Sequence, residues 1–163
     1  MINKLTTCVW YDGTAREAAE FYVSLLPGSH IDSIMKSPAD NPSMQEGGEL
    51  VVAFTLAGQS FIGLNGGPNF KFNEAVSIQI HTEDQAETDR LWNAIVSNGG
   101  AESACSWCKD RWGMNWQIVP RRLTELMAHP DPDVARRVME AMMTMRKIDI
   151  AEIERAAEGN PSA

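Results

Sequence analysis

Histidine, cysteine and positive charge are scarce in this chain, and each shortage removes a class of function. The three histidines, His30, His81 and His129, stand far apart, and none has an H-x-x-x-H partner. No helix therefore offers the paired imidazoles of a common zinc site. Three cysteines, Cys8, Cys105 and Cys108, are too few, and odd in number, for a disulfide framework. Lys and Arg number 14 against 22 Asp and Glu, a net charge of −8. That balance repels nucleic acid and anionic membranes alike, so neither is an expected partner. No run of about 20 apolar residues exists to span a bilayer. The segment MINKLTTCVWYDG lacks the apolar core of a secretory signal, which makes the cytoplasm the expected location. No G-x-G and no P-loop occurs to cradle a nucleotide.

What is present is an ordinary globular composition, 44% hydrophobic over 163 residues. That suffices for one domain built from two small units sharing a sheet. The stretch Gln59 to His81 reads as strand, turn, strand. Val76, Ile78 and Ile80 alternate with Ala75, Ser77, Gln79 and His81, placing apolar and polar groups on opposite faces. Ile62 and Leu64 alternate with Phe61, Gly63 and Asn65. Between them Asn65-Gly66-Gly67-Pro68 makes a turn that no helix can cross.

The same plan is written twice. Leu5–Tyr11 is a strand, and Thr14 with Glu17 forms a capping box. A helix follows with Ala18, Phe21, Tyr22, Leu25 and Leu26 on one face. Strands at His30–Lys36, Glu49–Ala57 and Gln59–Asn65 complete a first unit, residues 5–67. The loop 37–48 is polar and without periodicity. In the second unit, residues 72–120, a strand at Ala75–His81 precedes a helix over Gln85–Ser97. Strands at Glu102–Lys109 and Met114–Val119 follow. Phe21 and Trp92, and Gly28 and Gly99, are each 71 positions apart, so the helices repeat in register. Helices at Arg121–Ala128, from Asp133 to about Met145, and at Ile150–Ala157 form a C-terminal extension, residues 121–157. The tail from Glu158 is expected to be disordered. Trp10, Trp92, Trp112 and Trp116 read as core.

Cys105-Ser106-Trp107-Cys108 is formally C-x-x-C. A redox pair needs a thiolate at a helix N-terminus, whereas here the expected strand sends the two thiols to opposite faces. Without a second C-x-x-C no zinc site is completed.

The segments VWYDGTAREAAEFYVSLLPGS, FTLAGQSFIGLNGGPNFKFNEAVS, KDRWGMNWQIVP and HPDPDVARRVMEAMMTMRKIDIAEIERA resemble the PhnB-like branch of the vicinal oxygen chelate proteins. That superfamily also holds glyoxalase I, extradiol dioxygenases and bleomycin-resistance proteins. The resemblance implies an α+β fold of two βαβββ units forming a curved mixed sheet with a cleft, and a homodimer. Some proteins of this branch carry the label of a demethylubiquinone methyltransferase. The sequence gives that label no support, lacking the Gly-rich turn of an S-adenosylmethionine cradle.

Metal-dependent relatives hold a divalent ion with one side chain from each of four strands. By the strand pattern those positions fall on Leu5 (Thr6 if the first strand slips by one), Gly63, Ala75 and Gln117. Only Gln117 offers even a neutral carbonyl, so no metal and no cofactor are expected. Alternation instead assigns an uncharged cleft: Thr55, Phe61, Asn65, Ser77, Gln79, Asn115 and Gln117, with Ala53 and Val119. Tyr11, Cys105 and Trp107 are further candidates. His81, beside Glu83 and Asp84, is the one weak candidate for acid–base catalysis. Such a surface suits a small, uncharged or aromatic molecule. Three readings stay open: metal-independent ligand binding, a glyoxalase- or dioxygenase-type lyase or isomerase, and an interaction module with a vestigial cleft. The helix carrying Met139, Met142, Met143 and Met145 serves either a dimer contact or cover for its own sheet.

Overall fold

The computed structural model describes residues 4–159; most of the expected disordered tail lies outside them. Both units follow the expected plan. In the first, β1 (Thr7–Tyr11), α1 (Ala15–Leu25), β2 (His30–Lys36), β3 (Glu49–Leu56) and β4 (Gln59–Asn65) build a four-stranded sheet in the order β1-β4-β3-β2. In the second, β5 (Ser77–Thr82), α2 (Gln85–Ser97), β6 (Ala101–Glu102), β7 (Trp107–Lys109) and β8 (Asn115–Pro120) give β5-β8-β7-β6. Among the described residues only β1–β4 and β5–β8 pair in parallel. The chain is thus α+β, with its mixed sheet present as two four-stranded sheets. Contacts cluster into two compact units, dividing between Lys71 and Phe72.

Each sheet buries one face under its helix. Ala15, Ala18, Ala19, Tyr22 and Leu25 of α1 are all buried. They meet Val52, Phe54 and Leu56 of β3, which are buried in turn. Phe54 stacks on Phe61 with ring centroids 5.4 Å apart, and Tyr22 tilts against Phe54. The register pairs Phe54 with Phe61 and Val52 with Gly63, so Phe61, Gly63 and Asn65 share this helix-facing side. Glycine at 63 lets α1 pack closely there, since a Cβ would stand a tight 3.0 Å from the Ala15 Cβ. In the second unit Leu91, Trp92 and Ile95 of α2 cover Ile80, Trp116 and Ile118, all buried.

The capping box expected at Thr14 does not form; its side chain makes no capping bond. Asn65 does the work from the end of β4. Its Oδ1 accepts from the Ala15 N–H at 2.9 Å, and its Nδ2 donates to the Glu49 carbonyl at 2.8 Å. One side chain thus ties the helix start to two strands. The strand expected over Glu102–Lys109 is broken by a turn at 103–106, where Cys105 (φ 55°) and Ser106 (φ 73°) take the left-handed conformation. Trp92 and Trp116 are core, whereas Trp10 and Trp112 are only half-buried. The Trp10 indole donates to the Gly67 carbonyl at 2.7 Å, and Arg111 lies over the Trp112 ring.

Beyond β8 the chain continues as α3 (Arg121–Met127), α4 (Pro132–Met143) and α5 (Ile150–Glu158). Asp131, not Asp133, caps α4, because Pro132 suits the first helical position. Val138, Ile148 and Ile153 are fully buried against Val119, Leu123 and Leu126, with Met142 and Met145 packed alongside. The extension therefore covers the end of its own sheet. Met139 and Met143 stay 39% and 54% exposed.

Candidate ligand-binding groove

On the sheet side away from α2, β5 and β8 present Ser77, Gln79, His81, Gln117 and Val119, and β7 adds Trp107 opposite Gln117. A groove of about 300 Å³ opens here. Its floor is Gln79, Gln117, Val119 and Trp107; the wall is Leu123, Thr124, Met127 and Met142 of the extension; Cys105 and Ser106 also line it. No charged side chain lines it. The groove is small, at the lower limit of ligand pockets.

The expected cleft residues divide sharply. Gln79 and Gln117 line the groove. Ser77 supports Gln117, its Oγ accepting from Gln117 Nε2 at 2.8 Å. Asn115 lies on the same strand but is 1% exposed, with Nδ2 pinned to the Asn73 carbonyl at 2.8 Å; it clamps a loop. Thr55 belongs to the other unit, on the face away from α1, where its hydroxyl donates to Asp32 at 2.9 Å. Phe61 and Asn65 require correction. Both point toward α1: the β3–β4 register places Phe61 beside Phe54, and Asn65 bonds the Ala15 N–H. Tyr11 is likewise helix-facing, its hydroxyl 3.1 Å from that of Tyr22.

His81 is exposed, and neither acidic neighbour orients it. Glu83 pairs with Arg121 at 2.5 Å, and Asp84 caps α2 by accepting from the Glu87 N–H. Cys108 is fully buried, and burial first, then the charges of Asp110 and Glu102, push its thiol up to about 12. It is therefore no redox nucleophile.

Sequence reasoning missed Ser106 and the extension's wall. Ser106 is 3% exposed and lines the groove, yet its hydroxyl has no hydrogen-bond partner among the described residues. Its backbone is fully engaged: the N–H donates to the Arg146 carbonyl at 2.8 Å, and its carbonyl accepts from Ile118 at 2.9 Å. The neighbouring Cys105 N–H donates to the Met145 carbonyl at 2.9 Å. No residue-type pattern announces a left-handed Cys-Ser pair, because these residue types avoid it.

The donor sets for the two groups that the family's chemistry brings to mind do not fit. Gly63 faces Ala15 and Tyr11, so its strand turns Ile62 and Leu64 to the open side. Leu5 is 86% exposed, and the Gln117 amide is bonded to Ser77. Among the described residues no three His, Cys, Asp or Glu side chains are grouped to hold a metal. A methyl-donor cradle needs vacant N–H groups at a helix start after a parallel strand. Here Asn65 takes the Ala15 N–H and Asp84 takes that of Glu87.

The chain is similar to several known proteins. The family profile for 3-demethylubiquinone-9 3-methyltransferase matches residues 3–119, ending one residue short of the last residue of β8. A Bacillus cereus PhnB protein, provisionally described as that methyltransferase, is 31% identical, with a TM-score of 0.64. The match covers 72% of this chain and 99% of that one. A Pseudomonas aeruginosa protein matches at 18% identity and TM-score 0.58, covering 73% of this chain and 98% of its own. A glyoxalase/bleomycin resistance protein from Albidiferax ferrireducens matches at 15% identity and TM-score 0.45, over 71% and 96% of the two chains. No curated protein matches the sequence. No described helix is long and apolar enough to cross a membrane. Identity and coverage with the PhnB protein, together with the profile match over both βαβββ units, make the chain a member of the 3-demethylubiquinone-9 3-methyltransferase family in its PhnB-like form.

Proposed function

We propose that this chain binds a small, uncharged organic molecule without a metal, as a cytoplasmic homodimer. The observation that carries the reading is the groove itself: an apolar wall faces a floor of two amide side chains, and no charge lines it. Such a lining holds a neutral ligand by contact area and a few hydrogen bonds, and gives an anion nothing to pair with. Exposed Met139 and Met143 on one face of α4 support the dimer. Methyl transfer is not part of the reading: at each strand-to-helix turn a protein side chain already takes a helix-start N–H, Asn65 that of Ala15 and Asp84 that of Glu87. The test is native mass spectrometry of protein purified without added metal, set against its denatured mass. A doubled mass carrying a small organic adduct supports the reading. One transition metal per subunit overturns it.

A further inference from the structure

The C-terminal extension lies beyond the residues matched by the family profile, yet it supplies one wall of the groove and holds the Cys105–Ser106 turn that lines it. The two backbone bonds from Cys105 and Ser106 to the carbonyls of Met145 and Arg146 fix two consecutive non-glycine residues in the left-handed region. Strain of this kind persists only where surrounding structure over-determines it, and it gathers at binding sites. What the strain achieves here is specific. It leaves a hydroxyl, on a residue 3% exposed, at the groove without a protein partner. Among the described residues no buried side-chain oxygen or nitrogen lacks a partner, so this Oγ is open to the groove, where a ligand atom can take the place of water.

We infer that the Cys105–Ser106 turn, clamped by the extension, recognises the polar end of the ligand, and that this end is a neutral carboxamide or comparable carbonyl group. The inference rests on the binding reading above. The groove's polar groups set the chemistry. The Ser106 hydroxyl both donates and accepts; Gln117, with Nε2 committed to Ser77, keeps its Oε1 as an acceptor; Gln79 offers both. A carboxamide has a donor and an acceptor to answer them, whereas a carboxylate only accepts and finds no cation. Leu123, Met127 and Met142 then receive a one- or two-ring apolar body. Methionine adapts to an irregular shape there.

The experiment is an amide chemical-shift titration of the full chain with benzamide, benzoate and toluene, repeated on Ser106→Ala. Benzamide is expected to shift the amides of Gln79, Ser106, Trp107 and Gln117, to bind at least fivefold more tightly than benzoate, and to lose about tenfold on Ser106→Ala. Ser106→Thr, which restores the hydroxyl, recovers part of that loss. Unchanged benzamide affinity in Ser106→Ala overturns the role of the turn while leaving the binding reading intact. If no probe shifts the groove amides, the binding reading falls and this inference with it.

Discussion

Replacing Ser106 with glycine should make the protein more stable, and the size of the gain follows from the backbone. At φ 73° an L-residue carries a cost of roughly 1–2 kcal/mol against the following carbonyl. Glycine escapes that cost but gives the unfolded chain about 0.5–1 kcal/mol more entropy to lose. The net gain is about 0.5–1 kcal/mol. With a urea slope near 2 kcal/mol per M, the unfolding midpoint rises by roughly 0.25–0.5 M. Ser106→Ala is the control. It keeps the strained φ and loses no protein hydrogen bond, so it should stay within about 0.5 kcal/mol of the parent chain. Both variants retain the backbone bonds to Ile118 and Arg146. A midpoint for Ser106→Gly equal to or below that of Ser106→Ala would refute the idea that the turn stores strain. A gain in stability coupled to a loss of benzamide binding would instead show binding and stability in opposition at one residue.

Three further outcomes are expected. Asp110 is buried, and its carboxylate accepts from the Trp112 and Met114 N–H groups and from the Trp116 indole at 2.9–3.0 Å. Asp110→Ala strands all three donors and should cost about 3–5 kcal/mol in denaturant unfolding; a cost under 1 kcal/mol would contradict these bonds. Asn65→Ala removes the link between Ala15 and Glu49 and should cost about 1–3 kcal/mol, with exchange of the α1 first-turn amides accelerating most; unaltered exchange there would count against the cap. The Cys108 thiol, raised from 9.0 to about 12 in the folded chain, stays protonated after its unfolded counterpart has ionised. Stability should therefore fall between pH 9 and 12 by about 1.4 kcal/mol per pH unit. Cys108→Ala should flatten that slope, and the same slope in both proteins would exclude the cause.

The duplication and the element order were legible because helix faces and strand alternation repeat at fixed offsets in Phe21 and Trp92, Gly28 and Gly99. The face of β4 was not. Phe61, Gly63 and Asn65 alternate with Ile62 and Leu64, and both sets contain apolar residues, so alternation alone does not choose a side. The choice comes from tertiary packing: Gly63 is where Ala15 of α1 approaches. Polar residues in the segments that carry the family resemblance turn out to be structural. Asn65 caps a helix, Asn115 clamps Asn73, and Asp110 gathers the backbone around Trp112 to Trp116. In the second unit the alternation of β5 and β8 did place Gln79 and Gln117 on one face. The missing half of the groove, Ser106 and the wall from Leu123 to Met142, depends on a strained turn and on contacts reaching 40 residues along the chain, from Ser106 to Arg146. Neither leaves a local pattern to read.

The clamp on that turn also sets an order of events during folding. The left-handed pair has no local reason to form, and its partners arrive only when the segment after α4 has docked. Closing so long a loop carries its own entropic cost before any contact rewards it. The sheet can pair without it; the groove cannot. Amide exchange at Cys105 and Ser106 should then follow undocking of the C-terminal helices, not global unfolding. Exchange at these two positions thus reports, residue by residue, when the binding site is assembled.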